Sequence, residues 1–163
     1  MPSERVQRQT DRLVDEAEVA EVARDWAKVR GVIEWNRNMI DEFRANAGKV
    51  NQFDQVLLLT TTGRRSGRPY TTPVVYAQDG DRYLIFASKA GADTNPDWYH
   101  NLVATPRVTI ELGTDKFAAN ATVTQGEERD RLYATQAARQ PQFAEYQSKT
   151  KRLIPVVALT RVS

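Results

Sequence analysis

The stretch from Leu57 to Thr72, LLLTTTGRRSGRPYTT, commits this chain to an antiparallel hairpin. An apolar run ends in threonines, the chain turns through Gly63-Arg64-Arg65-Ser66-Gly67, and a second β-prone run resumes after Pro69. So short a connection joins only antiparallel strands, because a parallel pair needs a crossover of about a dozen residues or more. Asp79-Gly80 repeats the signal between Tyr70–Ala77 and Arg82–Ala87. The segment from Gly113 to Lys116 repeats it between Val108–Leu112 and Phe117–Thr124. These hairpins exclude a doubly wound parallel sheet. A final strand at Ile154–Thr160 brings the expected total to about six. The fold class is α+β: a small closed or split antiparallel β-barrel with helices outside it.

The helical segments show a different period. From about Val6 to Ala47, Val19, Val22, Trp26, Val29 and Ile33 recur at spacings of three and four against a charged face. Trp35, Met39, Ile40, Phe43 and Ala47 continue the pattern, and Gly48 is a natural stop. This arm either packs on its own domain or touches a partner or a membrane surface, since its stripe carries tryptophan. Residues 1–34 read as a charged amphipathic arm and 35–163 as the barrel domain. Asn95 and Pro96 mark the start of a short helix reaching Ala104. Thr124 and Glu127 have capping-box spacing for a helix to about Arg139, and Pro141 separates it from Gln142–Lys149.

Composition removes several kinds of chemistry. The 163 residues contain no cysteine, which excludes disulfides, thiolate catalysis and cysteine-held metals. The single histidine, His100, rules out a multi-histidine metal centre and argues against a Ser-His-Asp triad. A net charge of +2 gives no global case for nucleic acid. The charged N-terminal region has no apolar segment of the signal-peptide kind, and no run is long enough to span a membrane, so the expected location is the cytoplasm.

Three segments carry polar chemistry outside the regular pattern. The first is the basic turn, where Arg64, Arg65 and Arg68 present guanidinium forks suited to phosphate or carboxylate and Ser66 adds a hydroxyl. It is either an anion site or a plain hairpin with solvated arginines. The second is Ala87-Ser88-Lys89-Ala90-Gly91, whose small residues let a flat ligand lie on the backbone. The third is Asn95 to Leu102, a helix start holding Trp98, Tyr99 and Asn101, with core packing the plainer role for Trp98.

Three strings, LLLTTTGRRSGRPYTTPVVY, DGDRYLIFASKAGADTNPDWYHNL and ATPRVTIELG, occur in the order and spacing of the deazaflavin-dependent nitroreductase family. The chain resembles that family from about Trp35 to Val162. The resemblance implies a split barrel related to flavin-nucleotide barrels and use of coenzyme F420, a deazaflavin with a phosphate and an oligoglutamate tail. It implies that Arg64, Arg65, Ser66 and Lys89 hold the phosphate and tail, with Arg68 standing in for a basic residue that relatives often carry where this chain has Tyr70. It also implies that Ala87, Ser88, Ala90, Gly91, Trp98, Tyr99 and Asn101 border the ring. Leucine is usual in the family where His100 stands.

Gln140, Phe143 and Tyr146 match the family's substrate-pocket tyrosines, and only Tyr146 keeps the hydroxyl. The expected activity is hydride transfer from reduced F420 to a flat electron-poor acceptor: a quinone, enone or nitroaromatic. Ser88 and Tyr146 are the candidate proton donors, and no metal is required. An FMN-binding barrel and a non-enzymatic F420 carrier are the alternatives. The acceptor and the oligomeric state stay open.

Overall fold

The computed structural model describes residues 16–51 and 53–162. The chain divides into two compact units, Met1–Asn38 and Met39–Ser163. Over its described residues the first unit is helical: α1 spans Glu16–Ala45 and runs through Gly31 without a break. Everything before Glu16, and the side chains of Val19, Val22, Trp26 and Val29, lie outside the described residues. Ile33, expected on the apolar stripe, is exposed, as are Val32 and Trp35. No helix among the described residues is long and apolar enough to cross a membrane.

The second unit is a closed six-stranded barrel in which every neighbouring pair is antiparallel. Its strands are β1 (Val56–Thr62), β2 (Pro69–Asp79), β3 (Arg82–Phe86), β4 (Arg107–Leu112), β5 (Asp115–Val123) and β6 (Val156–Arg161). Around the barrel the order is β1-β2-β3-β6-β5-β4, and β1 closes the ring by pairing Leu59 with Ile110 of β4. The helices of this unit are α2 (Asp97–Ala104), α3 (Gly126–Arg139) and α4 (Gln142–Ser148), together with the last turns of α1.

The strand sequences are apolar at consecutive positions because both faces are covered. Leu57, Leu59, Ile85, Val108, Ile110, Val157 and Leu159 belong to one core, which Trp98 and Leu102 of α2 join. The alternate residues Val56 and Leu58 pack on Met39 and Phe43 of α1. Leu84, Phe86, Val156 and Ala158 pack with Leu132 and Tyr133 of α3 and Phe143 of α4.

Turns and caps differ in detail from the sequence expectations. The β2–β3 turn is Gly80-Asp81 rather than Asp79-Gly80, because Asp79 pairs in register with Arg82 and accepts its Nη2 at 2.6 Å. The β4–β5 turn shrinks to Gly113 and Thr114, since Leu112 pairs with Asp115. Neither expected N-cap forms. Thr124 Oγ1 donates to the carbonyl of Val156, and Asn95 accepts from Arg152, so α3 and α2 begin without side-chain caps.

Candidate active site

The basic turn is braced by its own hydrogen bonds and by helix α2. Gly63 N–H donates to Arg68 O at 2.7 Å, and Gly67 N–H donates to Gly63 O at 2.9 Å with Gly67 at φ 71°. A Cβ at Gly63 would lie 2.5 Å from the Tyr70 ring and 2.7 Å from Ser66 Oγ, so a larger residue would have to displace those two side chains. The Ser66 hydroxyl shares a 3.2 Å hydrogen bond with Tyr70 OH and accepts the Arg68 amide at 3.1 Å. It braces the turn.

Asn101, buried on α2, joins the turn to β1. Its Oδ1 accepts Arg64 N–H at 3.1 Å and Arg64 Nη1 at 3.2 Å, and its Nδ2 donates to Thr61 Oγ1 at 3.2 Å. Arg64 also pairs with Asp97 at 3.6 Å. Arg65 and Arg68 are exposed, and neither guanidinium has a partner among the described residues. The three arginines are therefore not equivalent: one is tied to the fold and two are free to meet an anion.

The second segment follows β3. Ala87 is buried and donates its amide to Pro155 O at 3.0 Å. Beyond it Lys89, Ala90 and Gly91 take φ values of 46°, 53° and 84°. Positive φ at two successive non-glycine residues is rare and costs roughly 1 kcal/mol or more each. Gly91 is obligatory for a second reason, since a Cβ there would lie 2.9 Å from Tyr146 O and 3.1 Å from Lys149 Cβ. Helix α4 therefore sits directly on this loop. Lys89 is exposed, and among the described residues its Nζ donates only to Thr94 Oγ1, at 3.2 Å.

A residue with no sequence signal of its own holds the loop. Arg152 donates from Nε to Ala92 O at 2.8 Å, from Nη1 to Ala87 O at 3.2 Å and to Asn95 Oδ1 at 2.8 Å, and from Nη2 to Ser88 O at 3.0 Å. Burial pulls its guanidinium below the ordinary arginine value, an effect opposed by Asp93. The segment carrying Arg152 is held in turn by Gln147, whose Nε2 donates to Arg152 O at 2.7 Å. Gln147 Oε1 accepts Arg129 Nη2 at 2.7 Å and the Ile154 amide at 3.1 Å. The available signal was topological: Phe86 pairs with Val156, so residues just before β6 must lie beside those just after β3.

The remaining expected residues are dispersed. Trp98 is in the core, while Tyr99 is half-buried with its ring edge-on to that of exposed His100 at 5.6 Å. Phe143 is buried, not open as an acceptor platform: Phe86 and Tyr146 approach its ring at 5.3 and 5.4 Å, and Tyr133 OH donates to its carbonyl. Burial raises Tyr133 above the ordinary tyrosine value, which keeps that donor neutral. Gln140 Oε1 accepts Gln136 Nε2 at 2.9 Å. Tyr146 is half-buried and its hydroxyl has no partner among the described residues.

The donor set fits a flat cofactor with a polyanionic tail: two unpaired guanidinium groups on one turn, and a strained small-residue loop with an exposed lysine. The fold is the split-barrel class that the sequence predicted, a closed six-stranded antiparallel barrel with helices around it. The chain belongs to the F420H(2)-dependent quinone reductase family, whose profile matches residues 35–161. It is 45% identical over 108 residues to the F420H(2)-dependent quinone reductase Rv1261c of Mycobacterium tuberculosis, covering 64% of this chain and 72% of the relative. The solved structure of an F420-H2 dependent reductase, FDR-A, is 35% identical and superposes with a TM-score of 0.60, covering 68% of this chain and 99% of that one. A chain described as a domain-swapped dimer is 31% identical with a TM-score of 0.61, covering 84% of this chain and 98% of that one. The protein is an F420-dependent reductase and coenzyme F420 is its cofactor, as the resemblance implied.

Proposed function

We propose that the chain reduces quinones, and with them related flat electron-poor acceptors, where α4 meets the loop after β3. The observation that carries this reading is the seating of α4 on Gly91, where the Tyr146 main-chain carbonyl meets the loop, together with a Tyr146 hydroxyl that has no hydrogen-bond partner among the described residues. The identity to named quinone reductases supports a quinone as acceptor.

In this reading Arg65, Arg68, Lys89 and the outer donors of Arg64 hold the phosphate and carboxylates of the tail through charge-assisted bonds. Ser66 and Asn101 hold the turn, because their polar atoms are already engaged within the protein. Ala87, Ser88, Ala90 and Gly91 form the backbone shelf for the ring, with Tyr99 at its border and Trp98 supporting it from the core. When bound, reduced F420 supplies a hydride, two electrons in one step, so no thiol or metal is needed. The protein's part is to orient the two flat molecules and exclude water. Tyr146 donates a hydrogen bond to the acceptor oxygen, stabilises the negative charge developing there, and its proton completes the hydroquinone. Ser88, in the loop after β3, is the alternative proton donor. With Gln140 tied to Gln136 and Phe143 buried, the acceptor side relies on one hydroxyl, which suits a quinone or enone better than a nitroimidazole.

The test is steady-state oxidation of reduced F420 by menadione. Tyr146→Phe lowers kcat by at least about a hundredfold, the lower end of what one such donor contributes, while F420 affinity stays at the parent's value. Parent-like turnover in the variant removes Tyr146 from the reaction. Absence of turnover with any quinone in the parent overturns the acceptor assignment.

A further inference from the structure

Lys89 and Ala90 occupy a backbone region that L-residues leave unless their surroundings over-determine it. Arg152 supplies that surrounding. Its fork reaches the carbonyls of Ala87, Ser88 and Ala92, on both sides of the strained pair, and also the Asn95 side chain that closes the loop. A point charge could not do this, because contacts spread over Nε, Nη1 and Nη2 require a planar guanidinium. Among the described residues no carboxylate lies within ion-pair distance of Arg152, although Asp93 acts on it through space, and its side-chain hydrogen bonds go to the loop and Asn95. Its own main chain is anchored by Gln147 on α4, one residue after Tyr146. The strand ladders of the barrel are complete without it.

We infer that Arg152 is a positioning residue for the cofactor: it fixes the left-handed Lys89–Gly91 turn in the shape that receives the deazaflavin ring, and through Gln147 it ties that turn to the helix carrying Tyr146. This rests on the reading above that the loop after β3 borders the ring. Arg152 acts through backbone carbonyls, so its loss loosens the loop without opening the barrel. The ring then meets a mobile shelf instead of a formed one, and affinity falls by the cost of ordering it.

The experiment compares the parent with Arg152→Lys and Asn95→Ala. Amide hydrogen exchange is followed by mass spectrometry on cofactor-free protein, F420 is titrated by its own fluorescence, and the menadione KM is measured. In Arg152→Lys, exchange rises in the peptide covering residues 87–95 while β1 to β6 keep the parent's protection. F420 affinity drops about tenfold, equivalent to one hydrogen bond to a charged group, and the menadione KM is unchanged. Asn95→Ala, which removes one partner of the fork, shows the same local loosening and weakens F420 about threefold.

Parent-like exchange in residues 87–95, or a loosened loop with parent-like F420 affinity, overturns the inference. If Arg152→Lys loses strand protection as well, Asn95→Ala decides, and parent-like behaviour in that variant also overturns it. The parent's own titration reports separately on the functional reading: a parent that does not bind F420 removes both.

Discussion

Gly91→Ala tests how closely α4 and the loop after β3 fit together. Two costs add. Alanine at φ 84° sits in a backbone region that disfavours L-residues by about 1–2 kcal/mol. The new methyl also lies 2.9 Å from Tyr146 O and 3.1 Å from Lys149 Cβ, and moving α4 to admit it adds about 1–3 kcal/mol of overpacking. Alanine's smaller unfolded-state entropy returns about 0.4–1 kcal/mol. The net destabilisation is about 1–4.6 kcal/mol, and near the middle of that range Tm falls by about 6–11 °C for a domain of this size.

Gly80→Ala is the matched control, because Gly80 is also left-handed, at φ 59°, but nothing lies within 4 Å of its Cβ position. Its net cost is about 0–1.6 kcal/mol from the backbone term alone. Chemical denaturation of both variants isolates the contact term as the difference between them. Because α4 moves in Gly91→Ala, the menadione KM rises there and not in Gly80→Ala. Equal destabilisation of the two variants would show that α4 does not bear on Gly91, and would refute the packing on which the acceptor assignment rests.

The other predictions follow from the same contacts. Arg65→Ala and Arg68→Ala each weaken F420 binding by about 1.5–3 kcal/mol without lowering Tm, and the parent's affinity falls as salt is raised, both read from F420 fluorescence titrations. Asn101→Ala costs about 1–3 kcal/mol of stability by leaving Thr61 Oγ1 and the Arg64 amide without their partner, and it also weakens F420 because the turn loses its brace; melting curves and the same titration report the two effects. Glu111 accepts Arg44 at 3.0 and 2.9 Å, and that hydrogen bonding holds its carboxyl below the ordinary glutamate value. A folded-state pKa below the unfolded one gives stability that is present above the unfolded value and lost as pH falls through the folded value. Glu111→Gln is therefore less stable than the parent at neutral pH by about 0.5–1 kcal/mol, Arg44 being half exposed, and the gap in Tm narrows as pH falls below the ordinary glutamate range.

The barrel was legible because its signals are local. Gly80 and Gly113 sit in tight turns, and the apolar runs at Val56–Leu59 and Val156–Leu159 fit strands covered on both faces. The caps were misread where a distant partner outcompeted the local one: Asn95 gives its oxygen to Arg152 and Thr124 its hydroxyl to Val156. Phe143 looked like an acceptor wall by position, but its burial depends on Phe86 and Tyr133, which no spacing brings beside it. Motif matching also spread one ligand role over the whole basic turn. The hydrogen bonds leave Ser66 as a brace of that turn, with Asn101 of α2 holding it from outside, and Arg65 and Arg68 as its free cations. Arg152 was invisible for the same reason as Phe143, since its meaning lies in strand pairing.

That pairing also sets a timetable for synthesis. Strand β6 is the last in chain order, yet it sits between β3 and β5, so the ring has a gap until β6 arrives. The Arg152 fork comes from the segment just before it, reaching a loop 57 to 65 residues earlier in the chain. A ribosome therefore exposes Lys89 and Ala90 well before the residue that holds them in shape, and a nascent chain cannot close its ring or lock that loop early. Closure of the barrel and competence for F420 arrive together, at the end of translation of this domain. A chain stalled before β6 leaves two strand edges open, the state most exposed to aggregation.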